Sequence, residues 1–315
     1  MRSTPNTNDR FVIIMAGGRG ERFWPVSRQA TPKQLLTLLG KRSFLQQAVD
    51  RVLPLAPAKN IIIITNDAQA AAVRKQLPKL PKENIIAEPC GRDTCAAVTL
   101  GAAHVGAPLP PPSGVKKYKT PFCKAERFVE KPNLERAVEY LNSGNYRWNA
   151  GMFIWSFVTI TNGLEMHQKE MAEACRRWFK VAWTPKLAKV LAKEYPEVRK
   201  ISIDFALLEH AQNVIVAAAD LEWDDLGSWT ALARHVKADP EGNCAVADFI
   251  HVDAARNVVY DARTNHRTPI AIVGLRDSII VMADDATLVA HKSQAQKVKE
   301  LVNKLAADPK YKKLV

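Results

Sequence analysis

Residues 11–34, FVIIMAGGRGERFWPVSRQATPKQ, carry a short apolar, β-rich run straight into a loop with glycines at 17, 18 and 20 and a Pro-Lys pair at 32–33. Phe11, Val12, Ile13 and Ile14 read as a buried strand, so the glycines fall where that strand would leave a sheet. Lacking a Cβ, they let successive backbone N–H groups turn into one concavity, and Arg19, Arg22 and Lys33 ring it with positive charge. Such a loop suits an oxyanion. It is neither of the two common nucleotide loops. Phe23 stands where GxGxxG requires its third glycine, and no Gly-Lys-Ser/Thr follows. Trp24-Pro25 also opposes an immediate helix, so an extended loop is expected to run on to Lys33. The alternative reading is an ordinary strand-ending turn with solvated arginines.

Downstream, apolar runs alternate with helical spacing, which predicts an α/β fold with a mainly parallel sheet. Strands are expected at 11–15, 60–65, 84–87, 125–129, 151–155 and 213–217. Helices are expected at 43–53, 67–77, 94–104, 133–142, 158–180, 202–210 and 227–237. Past Pro240 the texture changes to short β-like pieces (CAVADFIHV, NVVYDA, TPIAIVGL, SIIVMADDATLVAH) and a closing helix with apolar spacing at Val298, Leu301, Val302 and Leu305. The expected division is therefore 1–240 for an α/β domain, internally shortened near 104–106, and 241–315 for a small β-rich domain ending in a helix.

Composition narrows the function classes. The 315 residues, 47% of them hydrophobic, suffice for one large core or a domain with an appendage. With 45 Lys+Arg against 32 Asp+Glu, the net charge of +13 favours anionic partners. The basic residues are scattered, and no basic helix or aromatic RNA-binding motif accompanies them, so nucleic acid is not the expected partner. Five cysteines, Cys90, Cys95, Cys123, Cys175 and Cys244, contain no CxxC pair, which argues against a disulfide framework or a zinc site and fits a cytoplasmic setting. The runs that read as buried, such as Ile61 to Ile64, are too short to span a bilayer, and no membrane association is expected. The seven histidines show no metal-ligand spacing.

The loop resembles the signature of the sugar-nucleotide pyrophosphorylases, nucleotidyltransferases that join a nucleoside triphosphate to a sugar 1-phosphate. Its FWPVSR-TPKQ variant is most similar to the mannose-1-phosphate guanylyltransferase (GDP-mannose pyrophosphorylase) family. NIIAEPCGRDT at 84–94, FVEKP at 128–132, WNAGMFIW at 148–155, SIDFALLE at 202–209 and WDDLGSW at 223–229 resemble further segments of that family in the same order. The EPxGR element favours the mannose and guanosine branch. The resemblance implies a Rossmann-like nucleotidyltransferase domain, GTP and mannose 1-phosphate as partners, and Mg2+ or another divalent cation as cofactor. It also implies a β-helical or β-rich module that often packs on another subunit, hence a homodimer as an expectation.

Carried over residue by residue, the resemblance makes Arg22 and Lys33 the catalytic candidates and puts Gly17, Gly18, Arg19, Glu88, Pro89 and Gly91 on the nucleotide. Glu130, Lys131 and Asn149 fall to the sugar phosphate and Asp225 to the metal. Taken alone, Glu130-Lys131-Pro132 also fits a surface turn, Asn149 fits turn chemistry, and Asp224 and Asp225 fit the cap of a helix beginning near Gly227. Trp148, Trp155, Trp223 and Trp229 read as packing residues rather than stacking platforms. Two positions depart from the family pattern, with Glu21 where a Thr is usual and Asp93 where an Asn is usual. Added negative charge beside phosphates weakens binding unless it is turned away or engages a cation.

A larger departure follows residue 103. The chain passes from a helical pattern at once into HVGAPLPPPSG, whereas members of the resembling family carry several dozen more residues there, including one of two carboxylates for the catalytic metal. The implied alternative to an active enzyme is a catalytically impaired nucleotide-binding relative or truncated gene product. Loss of a strand and a helix should also leave apolar neighbours exposed.

Overall fold

The computed structural model describes residues 10–105, 122–218, 224–265 and 268–315. Trp223 and most of the proline-rich connection lie outside them. The chain divides into two compact units, one of residues 1–17, 52–70 and 78–223, the other of 18–51, 71–77 and 224–315.

In the first unit, strands β1 (Val12–Met15), β2 (Ile61–Asn66) and β3 (Ile85–Glu88) form a parallel sheet in the order β1-β2-β3, with Val12 opposite Ile61 and Ile63 opposite Ile85. Ile61 to Ile64 are fully buried, as a continuous apolar run in a parallel sheet should be. β1 forms one edge, its residues half-buried or exposed.

The helices expected at 43–53, 67–77, 94–104 and 133–142 are found as α1 (Phe44–Val52), α2 (Asp67–Gln76), α3 (Asp93–Val105) and α4 (Leu134–Ser143). Helix α3 is rich in Ala and apolar all round, and Cys95 through His104 are all buried. Gly101 is required where α3 meets β1: a Cβ there would lie 2.6 Å from the Ile13 Cδ1. Helices α5 (Phe157–His167) and α6 (Lys169–Phe179) complete this core, which joins Ile62, Ile64 and Ile86 to Leu100, Leu164, Cys175 and Trp178.

The expected strands 11–15, 60–65, 84–87 and 213–217 are also found, the last as β5 (Ile215–Ala217). Those expected at 125–129 and 151–155 are not strands. Instead β4 (Phe122–Lys124) pairs antiparallel with β5, apart from the parallel sheet. The physical reason is that no residue from 122 to 159 is buried; of the run at 151–155 only Phe153 and Trp155 reach the core, half-buried, and among the described residues no strand pairs with it.

The single helix expected at 158–180 is two, broken at Gln168, whose φ of −142° and ψ of 63° interrupt the helical backbone. Helix α7 (Lys186–Glu194) was not anticipated, although Leu187, Val190 and Leu191 carry its spacing. The helix expected at 202–210 is one π turn, Asp204–Leu208, and that at 227–237 shrinks to the single turn α8 (Trp229–Leu232) and a 3-10 turn.

In the second unit the expected β pieces wind into a coil. β6 (Cys244–Val246), β8 (Val258–Asp261) and β10 (Ser278–Met282) stack in parallel on one face, with β7 (Phe249–Val252) and β9 (Ile270–Val273) parallel on another. Asparagines tie the rungs together. Asn243 Oδ1 accepts from the Asn257 backbone N–H at 3.0 Å, and Asn257 Oδ1 accepts from that of Ser278 at 2.9 Å. Both asparagines are buried and fully engaged, so each satisfies turn amides that no strand pairs. β11 (Thr287–His291) closes the stack antiparallel, and helix α9 (Val298–Ala307) buries Val298 and Val302. Those side chains share a core with Phe23, Trp24, Leu36, Trp229 and Tyr260.

Helix α4 is well formed, capped by Asn133 at its start and by Gly144 at φ +70° at its end, yet it buries nothing. Leu134 is 82% exposed, Leu141 58% and Ile154 97%, an apolar surface concentrated in this region. Leu134→Lys combined with Leu141→Lys should therefore change unfolding free energy by less than about 0.5 kcal/mol and reduce concentration-dependent light scattering. A loss well beyond that in urea melts would mean the helix has a buried face.

Candidate active site

The glycine-rich loop takes its shape from one close approach. Gly20 has φ +64°, and a Cβ on it would sit 2.5 Å from Lys33 Cβ and 2.6 Å from Lys33 N. No other residue lets the loop lie on the Pro32-Lys33 backbone in this way. A 3-10 turn, Glu21–Phe23, follows, with Ser27 Oγ donating to the Gly20 carbonyl at 2.8 Å. The same loop packs Gly18 against Gln34, a Cβ there meeting Gln34 Nε2 at 3.0 Å.

Lys33 is half-buried and its ammonium donates to the backbone carbonyl of Asp225. Burial lowers its pKa, opposed by the charges of Asp225 and Asp224, while Arg22 adds to the lowering. Arg19, Arg22 and Asp225 are exposed around it. The departure at Glu21 is neutralised locally, its carboxylate lying 3.7 Å from Arg19 and 4.0 Å from Lys299. Asp225 Oδ1 accepts from the Gly227 amide at 3.1 Å and Asp224 Oδ1 from the Leu226 amide at 2.9 Å; both bonds close turns ahead of α8, whose N-cap is Ser228, and neither caps that helix. Asp224 is occupied further by a two-pronged ion pair with Arg234, at 2.6 and 2.7 Å, and by His235 at 3.0 Å. The Arg234 hydrogen bonds hold its carboxyl well below the usual carboxylate range.

Within the first unit, Glu88 ends β3 in a buried position beside Gly17, where a glycine Cβ would come within 2.9 Å of Glu88 Oε2. Its Oε1 accepts from the hydroxyl of Tyr195. Burial pushes the carboxyl up to about 7, against the lowering effect of that hydrogen bond, and the Tyr195 hydroxyl is itself raised by burial and by Glu88. Pro89 is half-buried, and Gly91 is exposed with nothing within 4 Å of an added Cβ. Asp93 stands at φ +66°, a conformation Asp and Asn tolerate, and its Oδ1 accepts from the Thr94 amide at 2.8 Å, so its charge is turned to the start of α3.

Glu130, Lys131 and Asn149 meet acidic neighbours to which sequence assigned no role. Lys131, at φ +47°, bonds Glu130 at 2.5 Å and lies 5.8 Å over the Phe205 ring. The Glu130 amide donates to Glu209 at 3.0 Å, and Asn149 Nδ2 approaches Asp204 Oδ1 at 3.5 Å. Asp204 and Glu209 both belong to SIDFALLE, so the motif itself was the signal. Burial, then the Glu130 charge, raises the Asp204 carboxyl. Asn149 Oδ1 also accepts from the Gly151 amide at 2.8 Å, which is the turn chemistry its sequence context suggests.

Trp229 is fully buried as expected, whereas Trp148 is 72% exposed, in a stretch, 122–159, that holds no buried residue. In the β coil, Asp239, Glu241 and His251 bring ligand-type atoms within 4.8 Å of one another, a grouping that spacing did not signal. Asp239 already serves Asn243 twice, at 2.7 and 2.9 Å, and His251 at 3.0 Å. All five cysteines are free thiols, and among the described residues no helix is long and apolar enough to cross a membrane.

A glycine loop gripping a half-buried lysine beside a carboxylate pair, in a chain built on a parallel α/β sheet, defines the class of nucleotidyltransferases. The Nucleotidyl transferase family model matches residues 11–108 and 114–242, and the chain belongs to that family. A second model, MannoseP isomerase/GMP-like beta-helix domain, matches residues 247–305. Xanthan biosynthesis protein XanB of Xanthomonas campestris pv. campestris is 31% identical over 349 residues, covering 95% of this chain and 73% of that protein. Mannose-1-phosphate guanylyltransferase of Salmonella montevideo is 31% identical over 356 residues, covering 95% and 74%. A crystal structure titled mannose-1-phosphate geranyltransferase, from Thermus thermophilus, superposes with a TM-score of 0.79 at 29% identity, covering 94% of this chain and 98% of that one. These relatives place the chain among the mannose-1-phosphate guanylyltransferases. Both sequence matches run longer than the 315 residues of this chain, and the family match breaks between 108 and 114.

The raised Glu88 carboxyl has a consequence for stability. Its folded value near 7 exceeds its ordinary 4.5, so between those pH values the folded chain holds a proton the unfolded chain has released, and stability falls as pH rises through that window. Glu88→Gln should remove this slope. Urea unfolding should show the variant gaining up to ~3 kcal/mol on the parent between pH 4.5 and 7.5, and parallel pH profiles would contradict the assignment.

Proposed function

We propose that this chain transfers a guanylyl group from GTP to mannose 1-phosphate. A phosphate oxygen of the sugar phosphate attacks the α-phosphorus, the bond from that phosphorus to the α,β-bridging oxygen breaks, and pyrophosphate leaves with the bonding electrons, giving GDP-mannose. The observation that carries this reading is the half-buried Lys33, its backbone and Cβ set against the Gly20 turn and its ammonium donating to the Asp225 carbonyl. A lysine so held is a preorganised charge for the triphosphate and for charge developing in the transition state.

In this reading Arg22 and Lys33 bind the triphosphate, with Gly17, Gly18 and Arg19 lining its backbone side. Glu88, Pro89 and Gly91 take the base, and Glu130, Lys131 and Asn149 orient the sugar phosphate. Asp225 has one oxygen on the Gly227 amide and stays exposed, which fits a magnesium ion that draws its other ligands from phosphates and water. When bound, that ion would neutralise phosphate charge. We assign the reaction to residues 1–240 and a supporting role, with homodimer contacts, to the β-rich residues 241–315, in a cytoplasmic protein. The family matches at 11–242 and 247–305 support that division.

A second reading, a nucleotide-binding relative with impaired chemistry, is favoured by the uncovered region 122–159 and the shortened chain. Pyrophosphate release by the purified chain with GTP, mannose 1-phosphate and magnesium separates the two, with ATP and glucose 1-phosphate as controls. Release only with the GTP and mannose pair is expected, and Lys33→Gln should cut the rate by about 10²–10³-fold. Folded protein that binds GTP without releasing pyrophosphate would establish the second reading.

A further inference from the structure

The EPCGRDT loop is fastened at successive points to one stretch of chain, residues 195–203. The Tyr195 hydroxyl bonds Glu88, and the Arg92 guanidinium donates to the Tyr195 carbonyl, at 3.4 Å, and to that of Pro196. The Cys95 amide donates to the Ile201 carbonyl at 3.1 Å, and the Ile203 amide to Thr94 Oγ1 at 2.8 Å. Tyr195 itself is fully buried, its ring stacked on that of Trp178 with centroids 5.4 Å apart. No motif singled out in the sequence contains it.

The two oxygens of Glu88 are thereby distinguished. Oε1 is committed to Tyr195, and Oε2 faces Gly17 at the mouth of the glycine loop. We propose that Tyr195 is the positioning residue for guanine selection, holding the Glu88 carboxyl so that Oε2 accepts from the N–H edge of the base. The inference rests on the GTP reading above. Above its raised value of about 7 the Glu88 carboxyl is ionised and only accepts hydrogen bonds, so it matches guanine, whose N1 and exocyclic 2-amino group both donate, and opposes adenine, whose N1 is an acceptor. A carboxyl free to rotate would present either oxygen at variable angles. One hydrogen bond from a ring locked by stacking removes that freedom, and selectivity depends on such fixed polar groups.

The test is equilibrium binding of GTP and of ATP to the full chain by calorimetry, at a pH well above the raised Glu88 value. Tyr195→Phe deletes one oxygen and leaves the ring on Trp178. It should weaken GTP binding about tenfold and leave ATP binding within about twofold, so that the GTP-to-ATP preference collapses. A merely structural role would weaken both nucleotides alike, and that result, or an unchanged preference, would overturn the proposal. Should the single variant not fold, the Glu88→Gln background carries the test, since no carboxylate is then left without its donor. There the preference should already be lost, and adding Tyr195→Phe should change nothing. Preference retained by Glu88→Gln, or altered further by the second substitution, would overturn the proposal. A parent chain that prefers neither nucleotide would defeat the GTP reading and this inference together, whereas a parent preference that survives in Tyr195→Phe would defeat this inference alone.

Discussion

The indole of Trp229 donates to the carbonyl of Trp24 at 3.0 Å inside a core shared by Phe23, Tyr260 and the apolar face of α9, and the arrangement of the candidate catalytic groups depends on that bond. Phe23 meets the Trp229 ring edge-on at 5.1 Å, and Tyr260 lies 5.2 Å from it on another side. A wholly buried tryptophan removes on the order of 150–250 Å² from water, and its N–H must find a partner there. Finding it on Trp24 ties WDDLGSW to GGRGERFWP. Asp225, four residues before the anchor, then presents its carbonyl to Lys33, which the Gly20 turn has already pinned. The exposed charges of the loop thus stand on an apolar joint and a single glycine conformation.

Charge around the loop is managed differently from charge around the base-binding candidates. Glu21, Asp224 and Asp225 sit among Arg19, Arg22, Lys33, Arg234 and Lys299, so acids that would oppose phosphate are mostly spoken for by cations. Glu88 has no such company. It is buried with a hydroxyl for a partner, which leaves its proton loosely decided near neutrality. The acids Glu130, Asp204 and Glu209 form a third setting, in which Lys131 is the cation at hand.

The parallel sheet was legible because Ile61–Ile64 and its neighbours are continuous apolar runs, and such runs mean the same thing wherever they occur. The coil of β6 to β11 was legible only as β pieces, since its rungs are set by Asn243 and Asn257, single residues without a visible repeat. Strands were misread at 125–129 and 151–155 because local pattern assumes a partner strand, and among the described residues no strand pairs along either run. Among the candidate residues, proximity in sequence made Gly20 and Lys33 readable as one loop. Tyr195 was invisible, because its partner lies 107 positions away and no spacing rule links them. Asp204 and Glu209 were in view within a recognised motif, but their roles depend on a π turn that sequence does not announce.

The backbone passes between the two compact units at 17–18, 51–52, 70–71, 77–78 and 223–224, so neither is a contiguous stretch of the chain. Trp24 completes its environment late, its indole donating to the carbonyl of Leu314 at 2.8 Å, 290 positions further on. During synthesis, therefore, the glycine loop emerges 290 positions before the residue on which its anchor closes. Over that interval an aromatic, arginine-bearing segment stands unsecured, and a chain stalled within it would leave it so. The order in which the polypeptide is made thus sets when this loop can take its shape, independently of how stable the finished structure is.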